Sequence, residues 1–146
     1  MRGYLLDTNI PSETLRPRPD ANVAAWLKSQ VKDSQFLSVV TMGELRKGAT
    51  LLPLSDKRTQ IEQFIDALIP SWFAGRILPV TQAIAERWGV LEGQRLLAGR
   101  SLGAADGMIA ATALEHGLTL VTRNVKDFAG LGVDLLNPWD EKRKGT

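Results

Sequence analysis

The stretch that decides the fold is Met1-Arg2-Gly3-Tyr4-Leu5-Leu6-Asp7-Thr8-Asn9-Ile10. Its apolar run, Tyr4-Leu5-Leu6, predicts a strand over residues 3–7 that is buried on both faces. The run ends at the small polar residues Asp7-Thr8-Asn9. Open α/β sheets bind ligands at the carboxyl ends of their strands. Asp7 therefore occupies a predicted ligand-binding position, and the question is whether later acids converge on it.

The composition is that of an ordinary globular protein. The chain has 146 residues, of which 44% are hydrophobic and 23% are charged. This length and composition favour a single domain over residues 1–139, followed by a charged tail over residues 140–146. The absence of cysteine excludes disulfides and thiolate chemistry. A net charge of +2 permits an anionic partner without requiring one. No signal peptide or membrane span is evident, so we expect a cytoplasmic protein with no membrane partner.

Short apolar runs alternate with amphipathic segments along the chain. The predicted strands cover residues 3–7, 36–40, 77–80, 118–121 and 133–136. The predicted helices cover residues 11–14, 20–32, 41–52, 55–74, 81–97, 104–116 and 124–128. Pro79 favours an edge position for its strand, and Pro70 is expected to end or kink its helix. The alternation predicts a three-layer α/β/α fold with a central, mostly parallel sheet of four to five strands.

Polar candidates recur just after strands or in the first turns of helices: Asp7, Glu44, Asp106 and the pair Asn124 and Asp127. Each also has a structural interpretation. Asp7 suits an Asx-turn, and Thr41-Met42-Gly43-Glu44 has the spacing of a capping box. The other candidates suit helix caps or first-turn acids that complement the helix dipole. Both interpretations stay open for each position taken alone.

Asp106 is the candidate that a structural role explains least well. It shares a helix face with Ile109, Ala110 and Ala113, a face that we expect to pack on the sheet. A charge on that face needs a partner or a cation, because burying it alone is costly. The neighbouring Gly107 lowers helix propensity by about 1 kcal/mol relative to Ala, which indicates a close approach by another element.

Convergence of three or four carboxylates would require neutralisation, and no matching cluster of Lys or Arg is evident in the sequence. Mg²⁺ accepts oxygen ligands and retains several waters, and Mn²⁺ is the alternative ion. The only histidine, His116, is at a helix C-terminus, so zinc chemistry and Ser-His-Asp catalysis are poorly supported. A carboxylate-bound Mg²⁺ is suited to phosphoester hydrolysis, which then needs no side-chain nucleophile.

With these residues identified, the chain resembles the PIN-domain family, and within it the VapC/FitB-type toxin ribonucleases of bacterial toxin–antitoxin systems. Four stretches over roughly residues 3–139 carry the resemblance. They are Leu5-Leu6-Asp7-Thr8-Asn9 with Ser12-Glu13, Thr41-Met42-Gly43-Glu44-Leu45-Arg46-Lys47-Gly48, Ala105-Asp106-Gly107-Met108-Ile109-Ala110-Ala111-Thr112-Ala113, and Leu120-Val121-Thr122-Arg123-Asn124-Val125-Lys126-Asp127-Phe128. A single stretch is weak, whereas four in register are specific. The resemblance implies a PIN-like fold.

The resemblance also implies a Mg²⁺-dependent endoribonuclease that cleaves RNA with a metal-activated water. Asp7, Glu44 and Asp106 match the metal-holding acids. The family's fourth acid falls at or near Asn124, so whether Asn124 or Asp127 fills that place stays open, as does the number of ions. Thr8 and Thr122 would be supporting hydroxyls that orient ligands or substrate.

The partners implied by the resemblance are a second copy of the chain, in a homodimer, and a cognate antitoxin that covers the acidic cleft. DNA would be contacted only through the antitoxin. Four basic residues flank the proposed acids and are candidate RNA contacts: Arg46, Lys47, Arg123 and Lys126. Phosphate contacts of this kind predict salt-sensitive binding.

Two other functions compete with the ribonuclease. A phosphatase with Asp7 as nucleophile would resemble haloacid dehalogenases, which require a second Asp two residues later, where this chain has Asn9. A catalytically silent binding module with the same fold is favoured by Asn124. It is disfavoured by the presence of Asp7, Glu44 and Asp106.

Overall fold

A computed structural model of the protein, which describes residues 3–140, contains one parallel sheet of five strands. The strands are β1 (Tyr4–Leu6), β2 (Gln35–Ser38), β3 (Ile77–Leu78), β4 (Thr119–Val121) and β5 (Leu135–Leu136). Their order in the sheet is β3-β2-β1-β4-β5. Strand β1 is therefore central, with Leu5 opposite Phe36 on one side and Leu120 on the other. The predicted edge position of the strand near Pro79 is confirmed.

Helices precede or follow every strand. They are α1 (Asn9–Thr14), α2 (Ala21–Ser29), α3 (Val39–Thr50), α4 (Asp56–Gln63), α5 (Ile69–Trp72), α6 (Gln82–Leu97), α7 (Ala104–His116) and α8 (Val125–Phe128). A 3₁₀ turn, Lys32–Ser34, precedes β2, and a π-helical turn, Phe64–Leu68, joins α4 to α5. No helix among residues 3–140 is long and apolar enough to cross a bilayer.

Adjacent residues of β1 pack into different cores, which makes the fold a three-layer structure. Leu5 and Leu6 are both fully buried. Leu5 packs with Ile84 of α6 and Ile109 of α7, while Leu6 packs in a cluster with Val23, Trp26 and Phe73. Because successive side chains of a strand point to opposite faces, the two clusters lie on opposite sides of the sheet. The predicted α/β/α architecture is confirmed.

The start of α3 differs from the prediction. The helix begins at Val39, not at Thr41, because the Ser38 side chain accepts the Val40 N–H at 3.0 Å and caps it. The β-branched pair Val39-Val40 therefore belongs to the helix and not to strand β2. Helix α2 also ends earlier than predicted, at Ser29.

The predicted helix over residues 55–74 is divided into α4, the π turn and α5. Pro70 lies near the start of α5 and lacks the N–H of a regular helical hydrogen bond. The widened π turn comes directly before it, so the helical path continues to Trp72 and does not end at Pro70.

Helix α7 runs opposite to the strands. It ends at Gly117, which has φ 63° and leads into β4, so the predicted glycine cap is confirmed. The C-terminus of α7 therefore faces the amino ends of the strands, and its N-terminus faces their carboxyl ends. This orientation carries Asp106 to the same edge of the sheet as Asp7. Of the predicted tail over residues 140–146, residues 141–146 lie outside the described residues.

Candidate active site

Asp7 is held firmly at the carboxyl end of β1. Its side chain is only 5% exposed, and its N–H donates to the Val121 carbonyl at 2.9 Å. One carboxylate oxygen accepts the Thr8 N–H at 2.8 Å, and the other accepts the Thr122 hydroxyl at 2.7 Å. Thr122 is itself fully buried and accepts the Asn124 N–H at 3.0 Å. Hydrogen bonds thus fix both carboxylate oxygens of Asp7.

The electrostatic environment of Asp7 still opposes its ionisation. Burial is the largest effect and raises the pKa of the carboxyl above its ordinary value. The negative charges of Glu44 and Asp127 raise it further, while the hydrogen bonds from Thr122 and Thr8 lower it. A nearby positive charge would therefore stabilise the ionised carboxylate of Asp7 more than another hydrogen-bond donor would.

Glu44 reaches the site from α3 through Thr8. The Thr8 hydroxyl donates to Glu44 Oε1, and the Thr8 oxygen lies 3.1 Å from the hydroxyl of buried Thr41. Because Thr8 has one proton and gives it to Glu44, Thr41 is the donor in the second pair. The capping-box interpretation of Glu44 is wrong, since α3 begins at Val39 and Ser38 caps it.

Asp106 lies in the first turn of α7, and its environment shows that the acids converge. Its pKa is raised to about 6, first by burial and then by the charges of Asp7, Glu44 and Asp127. Among the described residues, Asp106 has no hydrogen-bond or ion-pair partner for its side chain. The predicted helix face is confirmed, because Ile109, Ala110 and Ala113 are all fully buried.

Two contacts from α6 position the start of α7. A Cβ added to Gly107 would lie 2.2 Å from Cδ1 of Trp88, so the close approach predicted for this glycine is confirmed. Glu92 accepts the Leu102 N–H at 2.7 Å and the Gly103 N–H at 3.2 Å. These bonds, together with one from Ser101, lower the pKa of Glu92. The sequence analysis missed Glu92, because nothing in its own segment indicates the loop that it binds.

The two candidates for the fourth position differ in charge, because Asn124 is neutral and Asp127 is an acid. Asn124 stands at the start of α8, but its side chain makes no capping hydrogen bond. Asp127, one turn later, is the residue whose charge raises the pKa values of both Asp7 and Asp106. The structure therefore brings four carboxylates together, from Asp7, Glu44, Asp106 and Asp127, with Asn124 beside them.

The basic residues nominated from the sequence are used in different ways. Arg46 forms an ion pair with Asp66. The guanidinium of Arg123 stacks 5.2 Å from the ring centroid of Trp139. Lys47 is exposed on α3.

Lys126, in contrast, lines a cleft with Asp106 and Asp127. Arg95 and Arg100 line the same cleft, and the sequence analysis missed both because they come from α6 and the loop after it. The acids thus have basic neighbours, contrary to the expectation from the sequence.

The donor set fits a hard divalent cation. Within residues 3–140, no three acidic or histidine side chains stand close enough to hold one ion between them. Mg²⁺ does not require such a cage, because it commonly uses one or two carboxylates and retains several waters. The side chains of Asp7, Glu44 and Asp106 offer only oxygen donors, and their mutual repulsion raises the pKa of Asp106. A bound cation would relieve that repulsion.

A family model described as the PIN domain matches residues 4–132. The chain belongs to the PIN-domain family. Within this family it is similar to the toxin FitB of Neisseria gonorrhoeae, with 40% identity over 94% of this chain and 99% of FitB. It is also similar to the VapC ribonuclease Y4jK of Sinorhizobium fredii, with 36% identity over 93% of this chain and 97% of the relative.

The PIN domain described here also matches solved structures. One is FitAB bound to an IR36 DNA fragment, with a TM-score of 0.86, 39% identity, and coverage of 94% of this chain and 96% of the other. The predicted family and fold class are thereby confirmed.

Proposed function

We propose that this PIN-domain protein is the toxin of a type II toxin–antitoxin pair, and that it hydrolyses RNA as a Mg²⁺-dependent endoribonuclease. The observation that carries the proposal is the convergence of Asp7, Glu44, Asp106 and Asp127 at the carboxyl ends of the strands, where burial and the charges of the other three acids raise the pKa of Asp106 to about 6. The similarity to a toxin and to a named ribonuclease supports this assignment.

The mechanism assigns a separate task to each residue. Asp7, Glu44 and Asp106 would hold Mg²⁺, or Mn²⁺ as the alternative ion, with one or two of the carboxylates in direct contact and the rest acting through its waters. When bound, the metal supplies a Lewis acid and a water nucleophile for phosphodiester hydrolysis. Thr122 and Thr8 fix the orientation of the Asp7 and Glu44 carboxylates, so that little reorganisation is needed when substrate arrives.

Asn124 and Asp127 lie at the margin of this site. Asp127 supplies the fourth negative charge, and the neutral amide of Asn124 can donate or accept a hydrogen bond to substrate or water. Neither residue has to be a metal ligand, because Mg²⁺ commonly takes only one or two carboxylates.

The antitoxin is proposed to cover the site from the side of α1, α3 and α4. A groove of about 410 Å³ lies there, with Thr8 and Glu44 at one end and apolar walls from Leu15, Leu45 and Ile61. The similar structure of FitAB bound to an IR36 DNA fragment supports a partner of this kind, and we propose that any DNA contact of this chain is indirect, through the antitoxin. We also propose a homodimer acting in the cytoplasm, where RNA is available.

The test is RNA cleavage by the full-length protein with Mg²⁺, with and without EDTA. We expect Asp7→Asn, Asp106→Asn and EDTA each to reduce the cleavage rate by about a thousandfold, since the two variants lose a carboxylate that holds the metal and EDTA removes the metal itself. The matched control is Asp33→Asn, because Asp33 is exposed and precedes β2 at the opposite edge of the sheet. Undiminished cleavage by Asp7→Asn would disprove this assignment of the site.

Asn124 favours one competing function, a PIN fold that binds without catalysis. Calorimetric titration of Mg²⁺ and Mn²⁺ into the wild type and Asp106→Asn distinguishes the two. The ribonuclease predicts metal-dependent heat in the wild type that the variant loses. No heat in the wild type, together with no cleavage, would identify the silent module.

A further inference from the structure

A cleft of about 240 Å³ opens beside the acids on the side of α6, α7 and α8. Its charged walls are formed by three basic residues, Arg95, Arg100 and Lys126, and by Asp106 and Asp127. We call it the basic cleft. Its volume is far larger than the about 30 Å³ of one water molecule, so it has room for a substrate group. It is continuous with the proposed metal site because Asp106 belongs to both.

The positive charges in the basic cleft are not neutralised by the acids beside them. Among the described residues, Arg95, Arg100 and Lys126 form no ion pair, whereas Arg46, Arg58, Arg76 and Arg87 each pair with a carboxylate elsewhere. Arg100 and Lys126 are both exposed. Two exposed cations thus stand beside the proposed metal site and form no ion pair among the described residues.

Arg95 has a different role, because its guanidinium is fixed. It donates to the carbonyl of Asp127 at 3.2 Å and to the carbonyl of Ala129 at 2.9 Å. These bonds tie the end of α8, which carries Lys126 and Asp127, to α6. Arg95 is therefore a positioning residue that shapes the cleft, and Arg100 and Lys126 are the groups that remain available for a ligand.

The two sides of the acids differ in chemistry. This difference indicates on which side of the acids the RNA strand continues. The groove toward α1, α3 and α4 has apolar walls, its Arg16 already faces Glu13 at 3.6 Å, and Lys57 is its one cation without an ion pair among the described residues. The basic cleft is walled mainly by charged and polar side chains. An RNA strand whose scissile phosphate lies at the acids has further phosphates on either side of it. The basic cleft offers cations to which one of these adjacent phosphates can bind.

We propose that Arg100 and Lys126 form a subsite for an RNA phosphate adjacent to the scissile one, held in shape by Arg95. This inference rests on the proposed ribonuclease function and adds the location and direction of the RNA strand. Because the contacts are to the backbone, the subsite contributes to affinity without selecting a base sequence.

The experiment compares the double variant Arg100→Gln/Lys126→Gln with the wild type, using the full-length protein. The matched control is Lys28→Gln/Lys32→Gln, which removes the same charge from exposed positions on α2 and before β2. Binding of a labelled single-stranded RNA oligonucleotide is measured in EDTA over a range of KCl concentrations. KM and kcat for cleavage of the same RNA are then measured with Mg²⁺.

We expect the double variant to bind RNA at least about tenfold more weakly, which is the loss of one charge-assisted contact or more. The slope of log K against log salt should fall by about 0.7, since the two residues share one phosphate and each phosphate contact on a single strand contributes about 0.7. KM should rise while kcat is kept. The single variant Arg100→Lys should show the salt slope of the wild type, because it retains the positive charge that the double variant loses.

Three outcomes would overturn the subsite. The double variant could keep the affinity and KM of the wild type, the control variant could lose as much RNA affinity, or the double variant could lose only its binding to an acidic partner protein. Circular dichroism checks that the variants fold, which we expect because both side chains are exposed. The proposed function fails separately, if the wild type binds RNA with this salt dependence but does not cleave it with Mg²⁺.

Discussion

The proposed active site has two halves that are built differently. The sheet half consists of Asp7, Thr8, Thr122 and Glu44, whose side chains hydrogen-bond to one another or to the backbone. The helix half consists of Asp106 and Asp127, together with Arg100 and Lys126, and none of these side chains has a hydrogen-bond partner among the described residues. The first half is preorganised, whereas the second half holds charges that await a ligand.

This difference suggests a division of labour within the proposed mechanism. Fixed carboxylates hold a metal in one position without reorganisation during the reaction. Unpaired charges around a cleft can instead bind a ligand of opposite charge. Mutations in the sheet half should therefore lower both the stability of the fold and the rate of catalysis. Mutations in the helix half should change one of these properties without the other.

After Asp7→Asn, Thr122→Val is the substitution in the sheet half with the largest expected effect. It removes the hydroxyl that donates to Asp7 and accepts from Asn124, inside a fully buried position. We expect a loss of about 1–3 kcal/mol of stability from the unpaired groups. Cleavage should fall about 10- to 100-fold from the misoriented carboxylate. Urea unfolding and cleavage kinetics measure the two effects.

Thr112→Val is the matched control for this change. Its hydroxyl is equally buried but donates at 2.7 Å to the carbonyl of Met108, within its own helix and away from the acids. We expect less than about 1 kcal/mol of destabilisation and no change in cleavage rate. Equal losses of activity in the two variants would refute the special role of the sheet half.

Gly107→Ala should affect the helix half through packing. The added Cβ would meet the Trp88 ring at 2.2 Å, which outweighs the about 1 kcal/mol that Ala contributes to helix propensity. We expect a net loss of about 1–2 kcal/mol and a displaced Asp106. The control Gly89→Ala lies next to Trp88 on α6 with nothing within 4 Å, so it should stabilise the protein. Thermal unfolding of both variants tests this comparison.

The sequence predicts the backbone of the site better than its side-chain contacts. The apolar run before Asp7 and the helix ending at Gly117 are unambiguous, because periodicity and cap chemistry agree there. The start of α3 is not, since Ser38 and Thr41 can both cap a helix and Val39-Val40 suits a strand. Tertiary contacts decide in favour of Ser38, and with it the orientation of Glu44.

The basic cleft could not be predicted for a different reason. Arg95 and Arg100 precede α7 in the chain and meet Lys126 only because Glu92 folds the intervening loop back onto α6. Local patterns contain no information about such a contact. In the same way, the sequence places Asn124 near the fourth acid but does not show that Asp127 directs its charge at Asp7 and Asp106.

The smallest predicted effect is a gain of stability in Asp106→Asn without metal. The pKa of Asp106 is about 6 in the folded protein and ordinarily 3.8. The folded state therefore holds a proton between about pH 4 and pH 6 that the unfolded state releases, and the stability of the wild type falls as pH rises through that window. Asn avoids this loss, so we expect a gain of about 1 kcal/mol at pH 8 after allowing for solvent screening.

Urea unfolding in EDTA at pH 8 and pH 4 measures this gain, which should largely disappear at pH 4, where Asp106 is protonated in the folded state and about half protonated in the unfolded state. Asp7→Asn is the comparison from the sheet half. Its amide nitrogen would oppose either the Thr122 hydroxyl or the Thr8 N–H, so the relief of charge is offset by a lost hydrogen bond. An equal gain in both variants would mean that hydrogen bonding does not distinguish the halves. Added Mg²⁺ should then stabilise the wild type more than Asp106→Asn, because a bound cation favours the folded state.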